Sequence, residues 1–328
     1  MARRRKRSGL VAGIDLGGTK VTFGVVNEAG KVLAMDKRKT KATAGMEGVL
    51  DRVVEGLERA CKEAGSQLGD LDAVGIGAPS AVDFDEGVVI HAGNLGWKNV
   101  PLRALLEDRL DLPVLVDNDV NVAAWGEFTA GAARGWPDAL GVWVGTGIGS
   151  GLILGGQLWR GAFHTAGELG QMVLQPRGGL GRRTVEEHCS RLAMIRSMET
   201  LIGSHPQSRM RSVLQRTPEE GPLGSSTIAD AYRAGDDLVL RVVDDAADLL
   251  GLAIANAVTL MSVRGVVLGG GVTDALGKPF VERVRESFEW HVFPATLRKC
   301  RVVAAELGDS AGIVGAASLV RAHIVGKS

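Results

Sequence analysis

Asp15-Leu16-Gly17-Gly18-Thr19-Lys20 decides how this chain is read, because it joins two runs that alternate as strands do. Leu10 to Asp15 reads as a buried strand and Thr22 to Val26 as its hairpin partner. Between them the glycines accept positive φ and allow close approach, so backbone N–H groups can converge on an anion, and Thr19 and Lys20 add hydroxyl and ammonium donors. A carboxylate inside such a turn disfavours phosphate unless a metal ion lies between them, so Asp15 points to Mg²⁺, held most simply through water. A second turn of the same kind, Val144-Gly145-Thr146-Gly147-Ile148-Gly149-Ser150-Gly151, stands far downstream. Two phosphate hairpins and a metal carboxylate imply a bound nucleoside triphosphate.

Two widespread nucleotide-binding patterns fail on the same residues. The G-x-G-x-x-G spacing breaks in the second turn, where Ser150 occupies the last glycine position. Gly326-Lys327-Ser328 ends like a P-loop, but Arg321 stands where its first glycine belongs and no helix follows. With 328 residues the chain is long enough for two domains with separate cores. Its 38 basic and 38 acidic residues balance, so no global field draws it to nucleic acid or membrane. The cationic run Arg3 to Arg7 is read as a solvated tail. No apolar stretch is long enough for a signal peptide or a membrane span, and a cytoplasmic location is expected. Cys61, Cys189 and Cys300 are odd in number and far apart, which speaks against a disulfide framework or a cysteine-rich metal site.

The first half reads as one complete α/β domain of order β-β-β-α-β-α-β. A third strand runs over Lys31 to Met35, an amphipathic helix over Gly45 to Ala64 and a strand over Leu71 to Gly77. An irregular glycine- and proline-punctuated stretch follows, then a helix from Pro101 to Arg109 and a strand from Val114 to Val116. The second half repeats the theme, with strands at Leu140 to Val144, Gly151 to Leu154 and Gly265 to Leu268 and a long helix over Asp236 to Met261. Ser204 to Ser226 reads as an irregular excursion, and Ser310 to Ile324 as a helix that packs back onto the first domain. The expected division is a smaller N-terminal domain, residues 1–119 with 309–328, and a larger domain, residues 120–308.

The pair of turns is similar to the arrangement in actin, the hexokinases and the heat-shock ATPases, where each half offers one phosphate hairpin and the active site lies in the interdomain cleft of a ribonuclease H-like fold. The motifs together resemble the ROK family of bacterial sugar kinases and sugar-responsive repressors, its glucokinases most of all. The resemblance rests on six segments in order: Gly13 to Lys20, Asn94-Leu95-Gly96-Trp97, Asp117-Asn118-Asp119-Val120-Asn121, the second turn, Ala166-Gly167-Glu168-Leu169-Gly170, and Gly269-Gly270-Gly271-Val272. It implies that Asp119 is the general base that takes the proton of the attacking hydroxyl, a task any carboxylate within hydrogen-bond reach can perform. It implies that Asn94, Asn118, Asp119 and Glu168 grip the sugar. Gly17, Gly18, Thr19, Lys20, Gly145, Thr146 and Gly147 would cradle the phosphates, and Gly270 and Gly271 would pass close to the adenosine. From the residues alone, an N-cap role for Asp117 or Asn118 stands as the alternative.

The departures from the family pattern carry information too. Zinc-containing members place a His just after A-G-E-x-G and then a C-x-C-G-x-x-G-C run. Here Gln171 holds the His position and Arg177 to Thr184 replaces the cysteines, so no zinc is expected. Gln171 is expected to meet the sugar with a neutral amide, and the glutamate that follows the run is Glu186, or Glu187 if the gap shifts by one. Ser80 stands where the family has a glycine. The resulting expectation is an ATP- and Mg²⁺-dependent hexokinase acting on the 6-hydroxyl of glucose. Its partners are a small-molecule sugar and a nucleotide, with neither nucleic acid nor membrane, and the expected assembly is a homodimer. A repressor of this family carries a helix-turn-helix ahead of the sugar fold, for which about a dozen residues before the first strand are too few. A non-catalytic sugar-binding protein is disfavoured because Asp15 and Asp119 are both present.

Overall fold

A computed structural model describes residues 8–179, 181–215 and 223–327. The basic run Arg3 to Arg7, Leu180 of the segment replacing the cysteines, and residues 216–222 of the Ser204 to Ser226 excursion lie outside the described residues.

The chain divides into two compact units, residues 1–135, 151–166 and 309–328 in one and residues 136–150 and 167–308 in the other. In the first unit the strands are β1 (Leu10–Leu16), β2 (Lys20–Val26), β3 (Val32–Lys39), β4 (Leu71–Ala78), β5 (Ala81–Asp83), β6 (Val88–Ala92), β7 (Trp97–Val100) and β8 (Val114–Asn118). The helices between them are α1 (Gly45–Glu63), α2 (Leu102–Leu110) and α3 (Asp119–Ala130). One sheet has the order β3-β2-β1-β4-β8, with β1, β4 and β8 parallel and β2 and β3 antiparallel. Its central strands are buried on both faces, which is why they read as nearly continuous apolar runs. Ile14, Phe23, Ile76 and Val116 pack against α1 and α2 residues such as Leu50, Leu57 and Leu106, while Val11, Ala73 and Leu115 face the opposite side.

The sequence element order needs one correction: the stretch after β4 is not irregular but forms the three-stranded antiparallel sheet β5-β6-β7. Its glycines sit at the tight turns between very short strands, and that punctuation interrupts the few buried apolar residues, Val82, Val89, Ala92 and Trp97.

In the second unit β9 (Ala139–Val144) leads through the second turn into β10 (Ile148–Leu154), which runs on into residues of the first unit and is followed by β11 (Gln157–Leu158). The helices that follow are α4 (Val185–Cys189), α5 (Arg191–Leu201), α6 (Met210–Val213), α7 (Ser225–Arg233) and α8 (Asp237–Met261). After β12 (Gly265–Gly269) come α9 (Gly271–Leu276), α10 (Lys278–His291) and β13 (Arg301–Ala304). The sheet order is β11-β10-β9-β12-β13, with β9, β12 and β13 parallel. This is the topology of the first sheet repeated: the earliest strand is central, its hairpin goes to one side and the parallel strands to the other. In both sheets the glycine-rich turn lies between the first two strands.

The last helix, α11 (Ala311–His323), covers β1 and β4 on the face opposite α1 and also packs on α3. Glycines make that approach possible. A Cβ on Gly75 would stand 2.6 Å from the carbonyl carbon of Ala316, and one on Gly315 would stand 2.7 Å from that of Val122. Among the described residues no helix is long and apolar enough to cross a membrane.

Candidate active site

The strand ends of the first sheet set up a row of functional groups. Asp15 pairs across the parallel ladder with Gly77, and Gly77 with Asp117, so the three lie side by side where β1, β4 and β8 finish. Asp119, the first residue of α3, has its Cα only 3.1 Å from where a Cβ on Gly77 would stand. Glycine at 77 therefore clears the room in which the carboxylates of Asp15 and Asp119 feel each other.

Both carboxyls depart from the ordinary range. Burial, and then the field of Asp15, push Asp119 up to about 7, against lowering by the backbone N–H of Val120, its own N–H and the Asn118 amide. Burial and the charge of Asp309 raise Asp15 to about 6, while Lys37 acts in the other direction. Lys37 Nζ is 2.7 Å from Asp309, so this ammonium is shared between two acids.

Asn118 is the N-cap of α3: its Oδ1 accepts from the N–H groups of Val120 and Asn121 at 2.9 and 3.0 Å. Its Nδ2 donates to Asp119 Oδ1 at 3.1 Å and to the Ser80 carbonyl at 2.9 Å. Ser80 sits at φ 66°, a left-handed conformation that suits glycine, which explains the physical cost of a serine here. Asp117 is buried and serves neither as cap nor toward solvent. One oxygen takes the Asn118 N–H at 2.7 Å and Asn121 Nδ2 at 3.2 Å, and the other takes Arg160 Nε and Nη2 at 2.9 and 2.6 Å. The guanidinium of Arg160 also lies 3.6 Å above the Phe84 ring. Nothing in the sequence singles out Arg160, since its partner is 43 positions away.

The first turn is closed by Gly17 N–H to the Lys20 carbonyl at 2.9 Å and braced by Thr40, whose hydroxyl donates to the Gly17 carbonyl at 2.6 Å. Asn94 packs on this turn: a Cβ on Gly18 would stand 2.8 Å from Asn94 Cγ. Asp15, the turn from Gly17 to Lys20, Asn94, Asn118 and Asp119 are thus all held by the first unit.

The remaining sequence-derived residues belong to the second unit. Gly145 N–H closes the second turn on the Gly147 carbonyl at 2.9 Å. Gly270, at φ 90°, lies against Val144, where a Cβ would stand 2.7 Å from the carbonyl oxygen, so Gly270 and Gly271 adjoin the strand that enters the turn. Glu186 accepts the Ile148 N–H at 2.8 Å, immediately beyond Gly147. Glu187 instead closes a capping box, its carboxylate accepting the N–H groups of Arg183 and Thr184, which hold it below the usual carboxylate range. Glu168 is raised by burial and by its neighbour Glu186. Gln171 is exposed at the end of a short 3-10 turn that begins at Leu169. A residue not foreseen, Arg191, donates through Nη2 to the Thr146 hydroxyl at 2.8 Å.

Among the described residues no three His, Cys, Asp or Glu side chains gather as a metal cluster. A site offering one or two carboxylates suits Mg²⁺, which keeps water and phosphate oxygens as most of its ligands, and Asp15 is such a donor. Tetrahedral zinc needs thiolate or imidazole donors, and Gln171, Arg177 and Thr184 offer none.

Two sheets of the same topology, each with a phosphate-type turn after its first strand, define an actin- and hexokinase-like protein. The sequence pattern of the ROK family matches residues 11–323, and the chain belongs to that family. It is 34% identical to the glucokinase of Streptomyces coelicolor over 321 residues, 95% of this chain and 98% of the relative. A solved ROK-family glucokinase from Streptomyces griseus, in complex with glucose and AMPPNP, is 34% identical with a TM-score of 0.81, covering 96% of this chain and all of the other. The xylose repressor of Caldicellulosiruptor bescii is 28% identical over 96% of this chain and 79% of its own length. The enzyme class supported by these relatives is a sugar kinase.

Proposed function

We propose that this sugar kinase transfers the γ-phosphoryl group of ATP to the 6-hydroxyl of glucose. The observation that carries the reading is the half-buried Asp119 carboxyl, anchored through the Asn118 amide and the Val120 N–H and raised to about 7, where a general base works well near neutral pH. Asp119 accepts the proton of the sugar 6-hydroxyl as that oxygen bonds to the γ-phosphorus and the bond to the bridging oxygen breaks, leaving ADP. Asn94, Asn118, Asp119, Glu168, Gln171 and Glu186 hold the sugar hydroxyls, and Glu186 is preferred to Glu187 because the latter is spent on its capping box. The turns Gly17 to Lys20 and Gly145 to Gly147 offer N–H groups to the phosphates, and Gly270 and Gly271 admit the adenosine. Mg²⁺, when held through water by Asp15, would supply charge neutralisation to the phosphoryl oxygens. The protein's own part is to orient the hydroxyl, anchor the base and exclude other acceptors.

A coupled ADP-release assay with a panel of hexoses tests this. Glucose is expected to have the highest kcat/KM; a higher value for mannose, fructose or N-acetylmannosamine overturns the sugar assignment. The proposed assembly is a cytoplasmic homodimer, and a single monomer-sized species in sedimentation velocity would refute it.

A further inference from the structure

We infer that Arg191 is a phosphate-binding residue of the nucleotide site, its guanidinium supplying a positive charge at the second turn. The inference deepens the ATP reading above and rests on it.

Arg191 is tied to the turn twice. Its backbone N–H donates to the Gly145 carbonyl at 3.0 Å, and its Nη2 donates to the Thr146 hydroxyl at 2.8 Å. It opens the 11-residue helix α5, whose buried N-cap Ser190 accepts the Ala193 N–H at 3.2 Å and fixes the start of that helix. The guanidinium is partly buried, and its Nε is cut off from solvent with no hydrogen-bond partner. Among the described residues no carboxylate forms an ion pair with it, whereas Arg160, at a comparable depth, is held by the buried Asp117. A partly desolvated cation with one donor satisfied and a second buried donor unsatisfied is an unfavourable arrangement by itself. An anion at the turn removes the penalty. The turn beside it is built of N–H groups suited to phosphate, and a planar guanidinium matches phosphate oxygens through paired donors.

The alternative is that Arg191 only stiffens the turn through Thr146. The two roles separate by charge. Binding of adenosine, ADP and ATP to the whole enzyme by calorimetry, over a range of salt concentrations, would be compared for wild type, R191Q, R191K and T146V, each checked for folding by its thermal unfolding. R191Q is expected to weaken ADP and ATP by about ten- to hundredfold, leave adenosine within twofold, and make the fall of ATP affinity with salt shallower. R191K is expected to recover part of the loss, because charge returns without the fork. T146V, which keeps the charge, is expected to cost less than R191Q. ATP affinity in R191Q equal to wild type, or adenosine weakened in step with ATP, overturns the inference. A wild-type enzyme that neither binds nor uses ATP overturns the donor reading together with it, while normal wild-type ATP turnover with an unaffected R191Q overturns the inference alone.

Discussion

A carboxyl raised to about 7 couples chemistry and stability in opposite directions. Asp119 must be ionised to accept a proton, so kcat is expected to fall as pH drops through about 7, and Asp119→Asn should lower kcat by roughly two to four orders of magnitude while glucose still binds. Near wild-type turnover in that variant removes the residue from the chemistry. The sign for stability is reversed. Because the folded state holds protons on Asp15 and Asp119 that the unfolded chain has released above its ordinary carboxylate range, these two groups favour the fold most at low pH, and the advantage is lost as pH rises from about 4 to about 7. Thermal unfolding of the wild type without nucleotide or divalent cation should therefore show a steeper loss of Tm over that interval than Asp119→Asn. Identical pH profiles for the two proteins would mean that the carboxyl is not perturbed. Gln171 makes a separate test at this scale: its exposed amide, if it meets a sugar hydroxyl, makes Gln171→Ala raise the KM for glucose about tenfold, the worth of one polar contact. Unchanged glucose kinetics would take Gln171 out of the sugar site.

Among the elements, α11 shows packing prevailing over intrinsic helix preference. Gly315 lies inside this helix, where propensity alone makes Gly→Ala stabilising by about 1 kcal/mol. The backbone of Val122 in α3 occupies the space a methyl group needs. Overpacking of that kind costs about 1–3 kcal/mol, so the steric effect dominates and Gly315→Ala is expected to lower the urea midpoint. A raised midpoint would mean that α3 and α11 part without cost. The amphipathic period of α1 was legible as sequence, and so was a cap at Asp117 or Asn118, which the structure gives to Asn118, since both rest on nearby residues. The sheet β5-β6-β7 was not, because strands of three to five residues are stabilised by pairing with segments distant in the chain rather than by their own pattern.

For the molecule as a whole, the repeated sheet order is what brings separated segments to equivalent places. Each sheet ends its first strand in a phosphate-type turn, and the next parallel strand leads into a residue the sequence singled out: Ser80 comes just after β4, and Gly270 just after β12. The absence of zinc ligands at Gln171 and in the described part of Arg177 to Thr184 bears on the whole enzyme, since the segment should keep its place without metal. Its backbone is joined to its surroundings by the Val173 to Thr184 bridge and by the Val185 N–H to the Met172 carbonyl at 2.9 Å. Metal analysis of the purified protein is expected to find no stoichiometric zinc, and activity should survive chelation once Mg²⁺ is restored. One tightly held zinc per chain would refute this and would point to His164 or His188. At present these contact Asp83 and Asp85 at 3.8 and 3.7 Å, and the Arg182 carbonyl at 3.1 Å, respectively.

From the sequence by itself came the family, the two glycine-rich turns, the long helices and the candidate site segments, because each is written in contiguous residues whose chemistry or period is local. Only the tertiary structure separated the two adjacent glutamates, since Glu187 is claimed by the backbone N–H groups of Arg183 and Thr184 and Glu186 accepts that of Ile148. It alone separated the members of Asp117-Asn118-Asp119, where a guanidinium from Arg160 takes the first, a helix end takes the second, and burial beside Asp15 raises the third. The physical reason is the same in each case. Burial, field and hydrogen-bond partners belong to what surrounds a side chain in space, and for these residues the surroundings come from parts of the chain that sequence order keeps apart.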